Sequence, residues 1–117
     1  MSDQYELRVV VVGTDEHEMG DAITNAGYDV TTVDIGNRPA LEEADIVEAD
    51  VYVLTEVAQA TSISVAKDLN PGLKVVVYAD NSLPDFARRQ ADLVLDPQLF
   101  DPEAVAAELD AEHSSHE

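Results

Sequence analysis

Five short apolar runs alternate along the chain with five segments of helical character, and this alternation restricts the fold more than any other feature of the sequence. The first run, LRVVVVG at 7–13, contains four consecutive valines, which is typical of a strand buried on both faces of a parallel sheet. The predicted strands are 7–13, 28–34, 50–56, 73–80 and 92–97, and the predicted helices are 19–27, 40–49, 58–70, 83–91 and 101–112. Because strands and helices alternate, we predict a three-layer α/β/α sandwich around a five-stranded parallel sheet.

The length and composition predict one domain. The chain has 117 residues, 45% of them hydrophobic, and we assign 1–112 to the domain and 113–117 to a disordered acidic tail. It contains no cysteine, no signal peptide in its acidic N-terminal stretch and no run of about 18 apolar residues. The sequence therefore predicts neither disulfides nor membrane insertion, and it favours a cytoplasmic protein.

Acidic residues greatly outnumber basic ones. The chain has 25 Asp and Glu against six Lys and Arg, a formal net charge of −19, and the acids are spread along its whole length. This distribution is typical of a protein from a salt-accumulating halophilic archaeon, with an ordinary acidic protein as the alternative. At molar salt the Debye length is about 3 Å, so repulsion is screened, whereas dilute buffer should destabilise the compact state. The charge also argues against binding nucleic acid through a basic patch.

The turn after the first predicted strand raises the question of a nucleotide site. The stretch RVVVVGTDEHEMGDAI at 8–23 has the strand, glycine and helix of a Rossmann-like phosphate-binding turn, but DEHE at 15–18 replaces the usual glycines. Ligands of such sheets bind beyond the carboxyl ends of the strands, where the strand order reverses. We therefore expect a ligand between the turn Gly13–Met19 and the loop Thr55–Gln59, with Asp34 placed to accept hydrogen bonds from a ribose.

Several segments resemble the RCK N-terminal (TrkA-N) domains, which bind NAD and regulate potassium channels and transporters. NAGYDVTTVD is similar to their second-strand signature, and ALEEADIVEADVYVLT, AKDLNPGLKVVVYADN and ADLVLDP continue the similarity over most of 7–109. The resemblance implies a non-enzymatic regulatory or nucleotide-sensing module that binds NAD or another adenine nucleotide. It also implies a transporter or another protein as partner, and a homodimer.

The same resemblance implies roles for individual residues. Gly13 would be the first glycine of the dinucleotide fingerprint, Asp34 the ribose-binding acid, and Thr55 would lie over the pyrophosphate. Thr14 and Gln59 complete the expected cofactor-binding set. No catalytic residue is predicted.

The sequence departs from that family at the phosphate-binding turn. Asp15 and Glu18 occupy the second and third glycine positions of G-x-G-x-x-G. A phosphate about 5 Å from one carboxylate is repelled by about 1–3 kcal/mol at a surface-like dielectric, whereas a helix N-terminus returns only about 0.3–1 kcal/mol. The strand that normally follows Asp34 is also missing, which leaves a sheet of order 2-1-3-4-5. We therefore predict a degenerate acidic site in a Rossmann-like fold.

The DEHE turn also offers an imidazole and carboxylates for a divalent cation. Consecutive residues rarely all point inward, so a solvated acidic turn is favoured over a cation site. No metal ligand is predicted.

The order 2-1-3-4-5 is also that of response-regulator receiver domains, which keeps a second interpretation open. Asp15 and Glu16 could mimic the paired acids that follow the first receiver strand. However, Thr55 stands where the phosphoacceptor aspartate would end the third strand, and Asp96 stands where a lysine would precede Pro97. Without that nucleophile and that lysine the usual phosphoryl transfer fails. The alternative is therefore a pseudo-receiver that serves as a protein-interaction domain.

Overall fold

The computed structural model describes residues 7–15, 17–79 and 83–114, with side chains described as far as Leu109. Four parts of the sequence predictions lie outside these residues: 1–6 of the predicted domain, Glu16 of the acidic turn, the end of the fourth strand at Asp80, and 115–117 of the predicted tail. The assignment of 113–117 to a disordered tail stays a prediction.

A five-stranded parallel sheet forms the centre of the domain. Its strands are β1 (Arg8–Val12), β2 (Asp29–Val33), β3 (Val51–Leu54), β4 (Lys74–Tyr78) and β5 (Leu93–Leu95). They lie in the order β2-β1-β3-β4-β5, and every neighbouring pair is parallel. The predicted fold class and strand order are confirmed.

Helices cover both faces of the sheet. They are α1 (Met19–Asn25), α2 (Arg38–Glu43), α3 (Ser62–Leu69), α4 (Asp85–Gln90) and α5 (Pro102–Ser114), and short 3₁₀ turns lie at Ile46–Glu48 and Val57–Gln59. Within the described ranges, no helix is both long and apolar enough to cross a bilayer.

Alternate valines of β1 separate the core into two layers. Val9 and Val11 belong to the cluster that includes residues of α1 and α5, whereas Val10 and Val12 belong to the cluster that includes residues of α2, α3 and α4. Residues Val9–Val12 of β1 and all four residues of β3 are buried. Both strands are therefore covered on both faces, as their uninterrupted apolar sequences predict.

The helix predicted over 40–49 is shorter than expected. The Asn37 side chain caps α2 by accepting a hydrogen bond from the Ala40 N–H at 3.0 Å, and the helix ends at Glu43. Asp45 then takes a left-handed conformation, with φ +65°, and the chain continues as a 3₁₀ turn. Leu41, Ile46 and Ala49 are buried although the α-helix is interrupted, whereas Val47 is exposed.

Candidate functional site

Three crevices open at the carboxyl edge of the sheet, around the place where the strand order reverses. The Tyr78 crevice, about 400 Å³, lies between the loops that follow β1, β3, β4 and β5. The Gln59 crevice, about 720 Å³, lies between the β2–α2 loop and α3. The Asp15 crevice, about 320 Å³, lies beside α1. Thr14 lines all three of them.

Gly13 allows the turn after β1 to pack directly on the loop after β3. Its φ is +120°, which L side chains rarely adopt, and its N–H donates to the Val33 carbonyl at 2.9 Å. A Cβ at this position would lie 2.5 Å from Thr55 Oγ1 and 2.8 Å from Glu56 Cβ. The glycine is therefore explained by this close packing between two loops of the chain itself.

Asp15 occupies the place that a phosphate would take at the start of α1. Its Oδ1 accepts a hydrogen bond from the Met19 N–H at 2.7 Å, and its Oδ2 accepts one from the Gly20 N–H at 2.9 Å. Both Asp15 and Glu18 have positive φ, +55° and +58°, which bends the turn so that the carboxylate returns to the helix end. The exposed amides that usually bind anions are thus satisfied by the protein's own carboxylate.

Thr55 joins the loop after β3 to the loop after β1. Its hydroxyl donates to the Val12 carbonyl at 2.9 Å and accepts from the Asp15 N–H at 3.2 Å. Both hydrogen bonds are structural, because they hold the two loops together.

Gln59 holds the β2–α2 loop against the β3–α3 loop. Its Nε2 donates to the Asp34 carbonyl at 2.7 Å and to Glu56 Oε1 at 2.9 Å, and its Oε1 accepts from the Gly36 N–H at 2.7 Å. Every hydrogen-bonding group of the side-chain amide therefore has a partner within the chain. Asp34 contributes its main-chain carbonyl to this contact, while its exposed side chain borders the Gln59 and Asp15 crevices.

A pair of hydroxyls, those of Tyr52 and Ser62, is linked to the main chain of Gln59 by hydrogen bonds. Ser62 Oγ is hydrogen bonded to the Tyr52 hydroxyl and donates to the Gln59 carbonyl at 2.7 Å. Burial raises the pKa of Tyr52 to about 12, so this hydroxyl stays protonated. A Cβ on Gly36 would lie 2.8 Å from Ser62 Cβ, which shows how closely the β2–α2 loop packs here.

The structure therefore brings the five predicted residues to one edge of the sheet. Gly13, Thr55 and Gln59 hold loops together there, whereas Thr14 is exposed. The assignment of a cofactor to the five residues stays a prediction.

The Tyr78 crevice contains residues that the sequence interpretation did not single out. Tyr78 ends β4 and donates its hydroxyl to the Phe100 carbonyl at 2.6 Å, and the ring of His17 meets its ring edge-on, with 5.6 Å between centroids. Desolvation, followed by the carboxylates of Asp101, Glu103 and Asp96, raises the pKa of Tyr78, so the hydroxyl remains a donor. A tyrosine at the end of a valine-rich strand was the sequence signal that could have pointed to this crevice.

Asp96 directly follows β5 and turns the chain toward α5. Its Oδ1 accepts from the Gln98 N–H at 2.9 Å, and its carbonyl accepts from the Leu99 and Phe100 amides at 2.9 and 3.0 Å. Thr55 and Asp96 both line the Tyr78 crevice, at the carboxyl ends of β3 and β5. Among the described residues, neither lysine nor arginine lines it.

In the part of the chain that the structure describes, no three His, Cys, Asp or Glu side chains are grouped so that they could hold a metal ion. Asp15, which belongs to the DEHE turn, already accepts two hydrogen bonds from the start of α1.

Replacing the Asp15 cap is expected to destabilise the domain measurably. Asp15→Ala should lower the free energy of unfolding by about 1–2 kcal/mol in urea titrations at molar KCl, because it removes both cap hydrogen bonds. Asp15→Asn should cost less, since it keeps one acceptor and tolerates positive φ. Asp21→Ala, an exposed charge in the first turn of the same helix, serves as the control and should change stability by no more than about 0.5 kcal/mol. Equal losses for Asp15→Ala and Asp21→Ala would disprove the cap.

Comparison with solved structures defines the class of fold. HP1043, an orphan response regulator of H. pylori, is 18% identical over 90% of this chain and 94% of its own, with a TM-score of 0.69. A CheY-like receiver domain protein from Methanospirillum hungatei is 14% identical over 92% and 94%, with a TM-score of 0.69. CheY4 of Vibrio cholerae is 18% identical over 91% and 98%, with a TM-score of 0.68. The chain thus has the fold of response-regulator receiver domains.

The family is shown by sequence. The chain belongs to DUF7126, a family of unknown function, whose profile matches residues 9–109. Among curated proteins, none matches the chain significantly.

The resemblance to RCK N-terminal domains is wrong, and so is the NAD-binding regulator of potassium transport that it implied. HP1043, the Methanospirillum hungatei protein and CheY4, which match about nine-tenths of the chain, are response regulators or receiver domains. The segment NAGYDVTTVD, which suggested RCK, forms the end of α1, the glycine that follows it and the edge strand β2, and any α/β fold of alternating helices and parallel strands contains such a unit. The start of α1, which would bind the pyrophosphate, is capped by Asp15.

Proposed function

We propose that this chain is a receiver-like protein-interaction domain that works without aspartyl phosphorylation. The observation that carries the proposal is the chemistry at the ends of β3 and β5. Thr55 follows β3 and uses its hydroxyl to join two loops, and Asp96 follows β5 with a carboxylate where a receiver has a lysine. An acyl phosphate needs a carboxylate to form, and a cation beside it to stabilise its charge.

A solved structure gives independent support for this kind of module. An atypical orphan response regulator, described as revealing a phosphorylation-independent regulatory mechanism, is 19% identical over 90% of this chain and 93% of its own, with a TM-score of 0.65. We infer that this chain functions in the same general way, through a surface that binds a protein partner. That the partner is a transporter stays a prediction, since the RCK resemblance alone implied it.

Acetyl phosphate tests the claim that the domain is not phosphorylated on an aspartate. Intact-mass spectrometry after incubation with acetyl phosphate and Mg²⁺ should show no phosphorylated species, while a receiver domain of known activity in the same buffer should be labelled. Thr55→Val should behave as the parent does. The proposal would be overturned if the parent gained one phosphoryl group on an aspartate. The matching Asp→Asn variant, which would then lose the label, identifies that aspartate.

A further inference from the structure

Two exposed apolar side chains stand out on the loop between β5 and α5. Leu99 is 75% exposed and Phe100 is 42% exposed, and together they form what we call the 99–100 surface. Contiguous exposed apolar side chains often mark an interaction site, whereas isolated ones need no explanation.

The loop that carries the 99–100 surface is fixed by hydrogen bonds. The amides of Leu99 and Phe100 donate to the Asp96 carbonyl, and Tyr78 donates its hydroxyl to the Phe100 carbonyl. Because these bonds order the backbone before any partner arrives, binding loses little conformational entropy. The surface is therefore presented in a defined geometry.

Carboxylates flank the 99–100 surface along the chain. Asp96 precedes it, Asp101 and Glu103 follow it, and the adjoining Tyr78 crevice is lined by Glu56 as well as Asp96. Among the described residues that line the crevice, which include His17, there is neither lysine nor arginine to balance these acids. An apolar contact at this place is thus bordered by negative charge on a chain whose net charge is already −19.

Two kinds of partner could cover the 99–100 surface, a second copy of this chain or a different protein, and the surrounding charge distinguishes them. In a symmetric dimer the same patch lies on both subunits, so Asp96, Asp101 and Glu103 would face their own copies across the contact. Like charges that are brought into contact in such an interface oppose association even at molar salt, because buried pairs are screened much less than exposed ones, whereas basic side chains on a different protein would be attracted. Charge complementarity therefore favours a cationic partner over a second copy of this chain.

We propose that the 99–100 surface docks a cationic amphipathic segment of a protein partner. Its apolar side chains cover Leu99 and Phe100, and one of its lysine or arginine side chains enters the Tyr78 crevice toward Glu56 and Asp96. This proposal rests on the interaction role proposed above and names the class of partner. The partner's cation lies in the crevice where a receiver has its own lysine.

A synthetic peptide serves as the probe. A fluorescent helical peptide of about 14 residues, with leucines on one face and lysines on the other, is titrated with the full chain in KCl of about 1 M, where non-specific charge attraction is screened. The control peptide has the same composition with its leucines distributed around the helix. Fluorescence anisotropy should show tighter binding of the amphipathic peptide by about tenfold, or about 1.4 kcal/mol.

Matched variants locate the binding site. Leu99→Ser with Phe100→Ser should weaken binding by about tenfold or more, whereas Ile35→Ser with Val47→Ser, which alters side chains that are 62% and 57% exposed elsewhere, should leave it unchanged. Asp96→Asn keeps an acceptor for the Gln98 amide and should weaken binding by about threefold. Glu43→Gln on α2 removes the same charge and should have no effect. Circular dichroism checks that each variant is folded.

Three results would overturn the inference. The first is equal affinity for the two peptides, and the second is unchanged affinity in the Leu99→Ser, Phe100→Ser variant. The third is a dimer, seen by light scattering at the same salt, that this variant dissociates, because the occupant would then be a second copy. None of these results involves phosphorylation, so failure here is distinguishable from labelling by acetyl phosphate, which would refute the proposed function itself.

Discussion

Raising KCl from about 0.1 M to about 2 M is expected to stabilise the domain by about 3 kcal/mol or more, which corresponds to a rise in melting temperature of about 10 °C or more. The reason is the net charge of −19 on a domain with a radius of gyration of 13.0 Å. At low salt the carboxylates repel one another over a Debye length of about 10 Å, and unfolding relieves that repulsion. Thermal melts followed by circular dichroism measure the effect.

An uncharged osmolyte separates screening from general stabilisation. Sucrose of the same osmolality is excluded from the protein surface and stabilises compact states, but it screens no charge. The melting temperature should therefore rise far less in sucrose than in KCl. Equal melting temperatures at the two KCl concentrations, or equal gains in sucrose and KCl, would contradict the halophilic interpretation of the charge.

Gly13→Ala is expected to cost about 3 kcal/mol of stability. Two effects add: alanine at φ +120° is strained, and its Cβ would lie 2.5 Å from Thr55 Oγ1. The loops after β1 and β3 would have to separate, which disturbs the hydrogen bonds of Thr55 to Val12 and Asp15. Urea unfolding at molar KCl gives the free energy difference.

Gly27→Ala is the matched control. Gly27 also has a positive φ, +100°, but a Cβ there would meet nothing within 4 Å. It should therefore cost only the conformational strain, about 1 kcal/mol. The difference between the two variants measures the close packing of the loops. Similar losses in both would show that this packing contributes little, and the structural explanation of Gly13 would be wrong.

The fold was predictable because its signals are local. Four successive valines in β1 and three in β4 specify strands buried on both sides, and the intervening segments are too short for anything but single crossover helices. The interruption of the predicted helix at 40–49 was not predictable from the sequence. The apolar residues before and after the interruption have the spacing of a continuous helix. Only the left-handed turn at Asp45 reveals the interruption.

The chemistry of the edge was predictable in part. That Thr55 and Asp96 replace a nucleophile and a lysine follows from the sequence once the strand order is known. That Asp15 folds back to cap α1 does not, because this depends on positive φ at Asp15 and Glu18, which few non-glycine residues adopt. Of the two acids that suggested electrostatic repulsion of a phosphate, Asp15 has a structural role, because its carboxylate accepts hydrogen bonds from the amides at the start of α1.

The choice between RCK and receiver domains depended on non-local information. Both have apolar parallel strands linked by helices, so matching segments in order did not separate them. The assembled sheet places Thr55 and Asp96 in one crevice, and it is the assembled fold that matches receiver domains among solved structures. That juxtaposition appears only after the sheet is assembled.

Beryllofluoride tests the central claim most directly, because it binds as a phosphoryl mimic without requiring turnover. A structure of the BeF3-activated DrrB receiver domain is 18% identical to this chain, with a TM-score of 0.66. In ¹H–¹⁵N spectra recorded at KCl of about 2 M, adding beryllofluoride with Mg²⁺ should leave the amides of Gly13, Thr55 and Gln98 where Mg²⁺ alone leaves them. Saturable shifts of these amides on adding beryllofluoride would show an acyl-phosphate site at this edge and would contradict a receiver fold that works without phosphorylation.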